Sequence, residues 1–149
     1  GLVSAAALRA RVTRLAFQGG SQQEVMQSGE QYASDFLPGV MRPDMLRRLQ
    51  QHQSQGDEVV IVSGSLDAYL QPWCAQHGLA LLCNRLESKD GVLTGRYEAG
   101  DCGADKVARI LARYDLQTYA HITAYGDSRE DLPMLALAQE RWYRGRRIA

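Results

Sequence analysis

Two short apolar runs constrain this chain more than anything else in it. Glu58 to Val62 carries Val-Val-Ile-Val, and Ile122 to Tyr125 is a second, mostly apolar run; each ends in a polar turn. Runs this short and this rich in branched residues read as buried strands rather than helices. Behind each comes a helical pattern: Leu66, Tyr69, Leu70 and Trp73 after the first, and a segment through Ala138 after the second. Such βα alternation is typical of a parallel sheet with helices on both faces. Ligands of open α/β sheets bind beyond the carboxyl ends of the strands. The turns at Ser63-Gly64-Ser65 and Gly126-Asp127 are therefore the places to look for chemistry.

The rest of the chain fills in around these strands. Leu8, Val12, Leu15 and Ala16 recur at helical spacing up to Gly19-Gly20. Ser21-Gln22-Gln23-Glu24 has the form of a capping box and opens a helix with Val25, Tyr32, Ala33 and Phe36, ending before Pro38-Gly39. Pro43 starts a third helix, whose apolar face is Met45, Leu46 and Leu49 and which finishes near Gly56. Ala80–Glu87 and Val92–Tyr97 read as two strands joined at Asp90-Gly91, a hairpin signal. Gly103 to Tyr114 reads as a helix with Val107, Ile110 and Leu111 inward, and Arg141–Tyr143 as a last short strand. The expected fold is α/β: a Rossmann-like parallel sheet with helices on both faces over residues 51–149, plus a helical cap subdomain over residues 1–50.

Composition removes several classes of function. The 149 residues suffice for one domain, with 17 Lys plus Arg against 17 Asp plus Glu. A balanced charge argues against nucleic-acid binding by bulk electrostatics. Arg141, Arg144, Arg146 and Arg147 make the C-terminus locally basic and read as a solvated end. Cys74, Cys83 and Cys102 are odd in number and form no C-x-x-C pair, so a disulfide framework is not expected and a reducing cytoplasm fits. No apolar run approaches the roughly 20 residues of a membrane span. Arg9, Arg11 and Arg14 interrupt the first apolar stretch, unlike a signal peptide.

Three signals carry candidate chemistry. Asp127 and Asp131 lie four residues apart after the second strand, where carboxylates suit a hard cation such as Mg²⁺. Asp127 also suits a turn or a helix cap. Ser63, with the Gly64 N–H beside it, can hold a phosphate oxygen, or can simply form a Ser/Thr turn. Lys106 stands near a helix start, where a cation opposes the helix dipole unless an anion lies close; a solvent-exposed lysine is the plain alternative.

In this order, the three signals resemble the motifs of the haloacid dehalogenase superfamily of phosphohydrolases, and within it the phosphoserine-phosphatase-like subfamily. Val-Val-Ile-Val-Ser63-Gly64-Ser65 resembles the second motif, Lys106 in Cys102-Gly103-Ala104-Asp105-Lys106 the third, and Gly126-Asp127-Ser128-Arg129-Glu130-Asp131 the fourth, G-D-x-x-x-D. Leu93-Thr94-Gly95 and Met134-Leu135 are also similar to the subfamily's wording, and the likeness runs from about Ser21 to Trp142. The resemblance implies a Mg²⁺-dependent phosphomonoester hydrolase acting on a small phosphorylated metabolite. In it Asp127 binds the metal and Asp131 supports the metal shell. Ser63 and the Gly64 N–H bind a phosphoryl oxygen, and Lys106 stabilises charge on nucleophile and phosphoryl group.

The family's nucleophile is the first Asp of a D-x-D motif on an N-terminal strand, and this sequence contains no D-x-D. The expectation is a piece of a longer phosphatase whose aspartyl-phosphate forms on a residue outside this chain, itself without turnover. The competing reading is an inactive binding or interaction module on the same scaffold. A Rossmann nucleotide-binding domain lacks its G-x-G-x-x-G, and a cysteine hydrolase at Cys102 lacks an obvious histidine partner. The substrate and the oligomeric state are left open at this level.

Overall fold

The computed structural model describes residues 3–149; Gly1 and Leu2, the start of the expected cap, lie outside the described residues. Helix α1 (Ala5–Phe17) is capped by Ser4, whose Oγ accepts the Ala7 N–H at 3.2 Å. It lies against strand β4 (Val92–Tyr97), but with its apolar stripe turned away: Leu8, Val12 and Leu15 are exposed, Leu15 at 88%. Its inward residue is Thr13, whose hydroxyl meets the Tyr97 hydroxyl at 2.7 Å. Reciprocal Gly19–Leu93 and Leu93–Gly20 backbone bonds, both 2.9 Å, continue the attachment. Polar anchoring to a hairpin, which periodicity cannot reveal, decided the orientation of this helix.

Helix α2 (Gln22–Asp35) begins as its sequence predicts, with Ser21 Oγ accepting the Glu24 N–H at 3.3 Å. Pro38-Gly39 does not break the chain. It sits inside the short helix α3 (Leu37–Val40), with proline at an early position where its missing N–H is harmless. Helix α4 (Pro43–Ser54) follows. Ala33, Leu37, Trp73, Cys74 and Leu79 form the buried core, with Leu46, Leu49, Ile61 and Leu81 packed against it. That core joins α2, α3 and α4 to the first strand pair.

Strand β1 (Val60–Leu66) runs parallel to β2 (Ala80–Asn84), separated from it by helix α5 (Asp67–Gln76). Ser63-Gly64-Ser65 is not a turn after the strand but part of it. Between Val62↔Leu82 and Leu66↔Asn84, β1 advances four residues while β2 advances two. The extra residues form a bulge, which re-aims side chains and backbone at a strand's functional end. β1 is half-buried rather than fully buried, because among the described residues only β2 pairs with it.

The stretch Ala80–Glu87 divides into β2 and β3 (Leu86–Lys89), and β3 pairs antiparallel with β4 (Val92–Tyr97). Positive φ at Asp90 (51°) and Gly91 (77°) matches the two-residue turn that their sequence predicts. Helix α6 (Lys106–Arg113) starts later than the expected Gly103, and Leu111 is exposed rather than inward. Strand β5 (Thr123–Gly126) is parallel to β6 (Glu140–Tyr143). Between them the helix is shorter than its pattern suggests: a 3₁₀ turn (Arg129–Asp131) and α7 (Leu132–Leu135). The C-terminal arginines are not a loose end, since Arg146–Ile148 forms β7, antiparallel to β6.

The architecture is α/β with parallel strand pairings, and the α2–α5 crossing is its tightest joint. A Cβ on Gly29 would fall 2.2 Å from the Ala68 carbonyl oxygen, so only glycine lets the two helix backbones approach this closely. Gly29→Ala is expected to destabilise the chain by roughly 3 kcal/mol, as an overpacked core does, measured as a lower urea midpoint with an unchanged slope.

Candidate active site

The candidate residues arrive from three separated segments. Ser63 rides the bulge of β1, Lys106 is the first residue of α6, and Asp127 follows the last residue of β5. All three, together with Asp131, line one cavity of about 330 Å³. Its walls include Ile61 and Val62 of β1, Tyr125 and Gly126 of β5, and Arg48 of α4. The carboxyl ends of β1 and β5 thus open into a common space.

Asp131 organises the fourth-motif loop. One carboxylate oxygen accepts the Asp127 N–H (3.0 Å), the Ser128 N–H (2.9 Å) and the Ser128 hydroxyl (2.8 Å). The other is bound by the Lys106 ammonium. Gly126 makes this possible: a Cβ there would lie 2.5 Å from the Asp131 Cβ. Burial works to raise the Asp131 carboxyl, but the hydrogen bonds from Lys106, Ser128 and Asp127 overcome it and hold the group below the usual carboxylate range. The anion that compensates Lys106 at its helix start is therefore a protein carboxylate.

Ser63 Oγ accepts the Ser65 N–H at 3.0 Å, so the Ser/Thr-turn reading holds geometrically, and its own O–H remains available on the cavity side. Asp127 is fixed through its backbone: its N–H goes to Asp131, and its carbonyl accepts Arg144 Nε at 3.0 Å. No hydrogen bond or ion pair involving the Asp127 carboxylate occurs among the described residues. That carboxylate is a suitable oxygen donor for Mg²⁺, which takes one or two carboxylates, phosphate oxygens and water. Asp131 has both oxygens engaged with protein donors. No cluster of three or more metal-ligating side chains exists among the described residues.

A second network surrounds these residues, and sequence reading missed it. Asn84, fully buried, donates to the Gly64 carbonyl (2.8 Å) and to Asp101 (3.1 Å), and its oxygen accepts the Cys102 N–H (2.6 Å). Asp101 also accepts the Gly103 N–H at 2.9 Å. Arg9 of α1 grips Asp101 (2.9 Å) and both oxygens of Glu130 (3.0 and 2.8 Å). Burial raises the Asp101 carboxyl, and bonds from Arg9, Asn84 and Gly103 reverse this and lower it. The Glu130 hydrogen bond, more than any other influence, lifts the Arg9 guanidinium above its already high ordinary value. Arg144 was readable in part, since Arg144-Gly145 is a turn dipeptide between two strand-forming pairs. Arg9 carried no local signal at all.

The model of the haloacid dehalogenase-like hydrolases matches residues 2–136. The chain belongs to this family. It is 32% identical over 142 residues to Protein CicA of Caulobacter vibrioides (strain NA1000 / CB15N), covering 92% of this chain and 63% of that protein. It is 28% identical over 128 residues to a histidinol-phosphatase of Neisseria meningitidis serogroup C (strain 8013), covering 80% of this chain and 58% of that protein. The chain thus spans less than two-thirds of the length of these curated relatives.

Among solved structures, a Bordetella pertussis Tohama I protein of unknown function superposes with a TM-score of 0.81 at 22% identity, over 95% of this chain and 66% of that one. A probable phosphoserine phosphatase from Vibrio cholerae gives 0.65 at 23%, over 95% and 42%. At such identities these matches speak to the fold alone, an α/β architecture that this chain shares with them.

The lowered carboxyls of Asp131 and Asp101 predict a pH dependence. A folded-state pKa below the unfolded value near 3.9 gives stability that is complete above about pH 5 and is lost as pH falls through the folded value. Urea midpoints measured from pH 7 to pH 3 are expected to drop across the acid end, and Asp131→Asn is expected to flatten that drop while lowering stability at pH 7.

Proposed function

We propose that this chain is part of a Mg²⁺-dependent phosphomonoester phosphatase that works through an aspartyl-phosphate, with the nucleophilic carboxylate lying outside the chain. One observation carries the reading: a hydroxyl, an ammonium and an unpartnered carboxylate face one cavity at the carboxyl ends of two parallel-paired strands. The sheet lends support. Among the described residues β1 pairs only with β2 and β5 only with β6, and residues at the carboxyl ends of both strands line the cavity. A strand bearing D-x-D, added there, would deliver its carboxylates beside Ser63, Lys106 and Asp127. Similarity to a histidinol-phosphatase and to a probable phosphoserine phosphatase favours a small phosphorylated metabolite as substrate.

In this reading each residue has a limited task. Asp127 supplies an oxygen to the metal, and the bound Mg²⁺ neutralises charge on the phosphoryl oxygens. Asp131 keeps the Asp127 loop in place and holds Lys106 by one of its three ammonium donors. The remaining donors of Lys106 stabilise charge on the nucleophile and the phosphoryl group. The Ser63 hydroxyl and the Gly64 N–H bind a phosphoryl oxygen. The nucleophilic carboxylate displaces the alcohol from phosphorus, the departing oxygen taking a proton from the second Asp of the D-x-D, also outside the chain; that Asp then takes a proton from water as it splits the acyl phosphate, releasing inorganic phosphate and restoring the carboxylate. Residues 1–50, which carry α1 to α3 and most of α4, serve as a cap beside the core at 51–149. Three buried free thiols, Cys74, Cys83 and Cys102, agree with a reducing cytoplasm.

A non-catalytic module is favoured by a different observation, the absence of any D-x-D in the sequence. Assay of residues 1–149 and of the longest in-frame product on p-nitrophenyl phosphate and a panel of small phosphomonoesters, with and without Mg²⁺, separates the two. The phosphatase reading expects no turnover from the 149 residues and Mg²⁺-dependent turnover from the longer product, lowered about 10²–10³-fold by Lys106→Ala or Asp127→Asn. Turnover by the 149 residues themselves defeats the claim of an external nucleophile. An inert longer product without D-x-D establishes the module.

A further inference from the structure

We infer that Arg9 is a positioning residue: its guanidinium couples the docking of helix α1 to the geometry of the two loops that present Lys106 and Asp131. The functional meaning rests on the reading of those loops as the phosphate site; the coupling itself is a property of the structure.

All three nitrogens of the Arg9 guanidinium are engaged. Nη1 and Nη2 meet the two oxygens of Glu130 at 3.0 and 2.8 Å, and Nε meets Asp101 at 2.9 Å. Glu130 directly precedes Asp131, and Asp101 opens the loop that leads into Lys106. Arg9 is the sole cation paired with either acid among the described residues. The pairs are more sheltered than exposed surface bridges, which contribute little: side-chain exposure is 26% for Arg9, 13% for Asp101 and 33% for Glu130. The guanidinium also lies on Gly103, where a Cβ would come within 2.8 Å of Nη2. From Asp101 the contact continues through Asn84 to the Gly64 carbonyl, beside Ser63.

One planar group therefore ties the front helix to the second-, third- and fourth-motif segments together. Bidentate geometry of this kind is specific to arginine, and a lysine cannot span both acids in the same way. Withdrawal of α1 would release Glu130 and Asp101 in the same movement, so the site would loosen whenever the front helix departs. The helix has a second anchor that does not touch these loops, the Thr13–Tyr97 hydroxyl contact on β4. The two anchors can be cut separately.

Hydrogen–deuterium exchange on the whole chain tests the coupling. Cys102, Gly103, Asp127 and Ser128 donate their amides to Asn84, Asp101 or Asp131 and report on the loops. Arg9→Ala is expected to speed exchange at all four on the order of tenfold, and Arg9→Lys is expected to fail to restore them. Thr13→Val is expected to speed exchange in α1 and β4 alone. Should Arg9→Ala prove too unstable, Glu130→Gln, which spares the Asp101 contact, is expected to loosen Asp127 and Ser128 selectively. Unchanged loop amides in Arg9→Ala, or equal loosening by Thr13→Val, would overturn the inference.

Mn²⁺ titration of the longest in-frame product provides the functional arm: weaker binding in Arg9→Ala and unaltered binding in Thr13→Val support positioning, and equal binding in all variants refutes it. A wild-type longer product that binds no Mn²⁺ counts against the metal reading of Asp127, while the exchange data still decide the coupling.

Discussion

The buried Asp131 carboxylate is the interaction on which the site depends. Four donors converge on it, from Lys106, Ser128 and the Asp127 backbone. A buried ion is tolerable only when it is paired and hydrogen-bonded, since desolvation is costly. Satisfying it draws the start of α6 against the end of β5, and this places Lys106 and Asp127 in one cavity. The missing side chain of Gly126 leaves room for the carboxylate to fold back over the strand end. Asp131 thus works as a keystone for neighbours that face the open space.

Much of the fold was legible because the decisive signals were local. The Ser21 cap, the Asp90-Gly91 turn and the branched runs of β1 and β5 all lie where short-range rules put them. Ser63, Lys106, Asp127 and Asp131 were singled out as candidates through motif order, and all four line one cavity. What escaped was non-local. The outward stripe of α1 obeys helical periodicity perfectly, yet a buried Thr13–Tyr97 contact set the docking face. Arg9 pairs with partners 92 and 121 positions away, beyond any window that a pattern can scan. The Ser63 segment was read as a turn because its residues are turn formers; the bulge explains both that composition and the strand hydrogen bonds on either side.

Family membership and site geometry bear on different questions. The family model and the solved structures establish the scaffold. Chemistry has to be argued from the site, because a fold does not fix an activity. Here the free carboxylate of Asp127 and the free hydroxyl proton of Ser63 ask for partners that the described residues do not provide. The side chains that sequence reasoning overlooked, Asn84, Asp101 and Arg9, are those that hold the visible ones still.

The divided sheet has a consequence for how the chain behaves in solution. Among the described residues β1 pairs only with β2 and β5 only with β6, so each keeps an edge of amide and carbonyl groups without a ladder partner. Such edges template further pairing, which proteins ordinarily suppress by covering them. A free edge does not by itself discriminate whose strand arrives. At high concentration a neighbouring molecule can compete for it, so solubility and correct assembly are two faces of the same backbone valence.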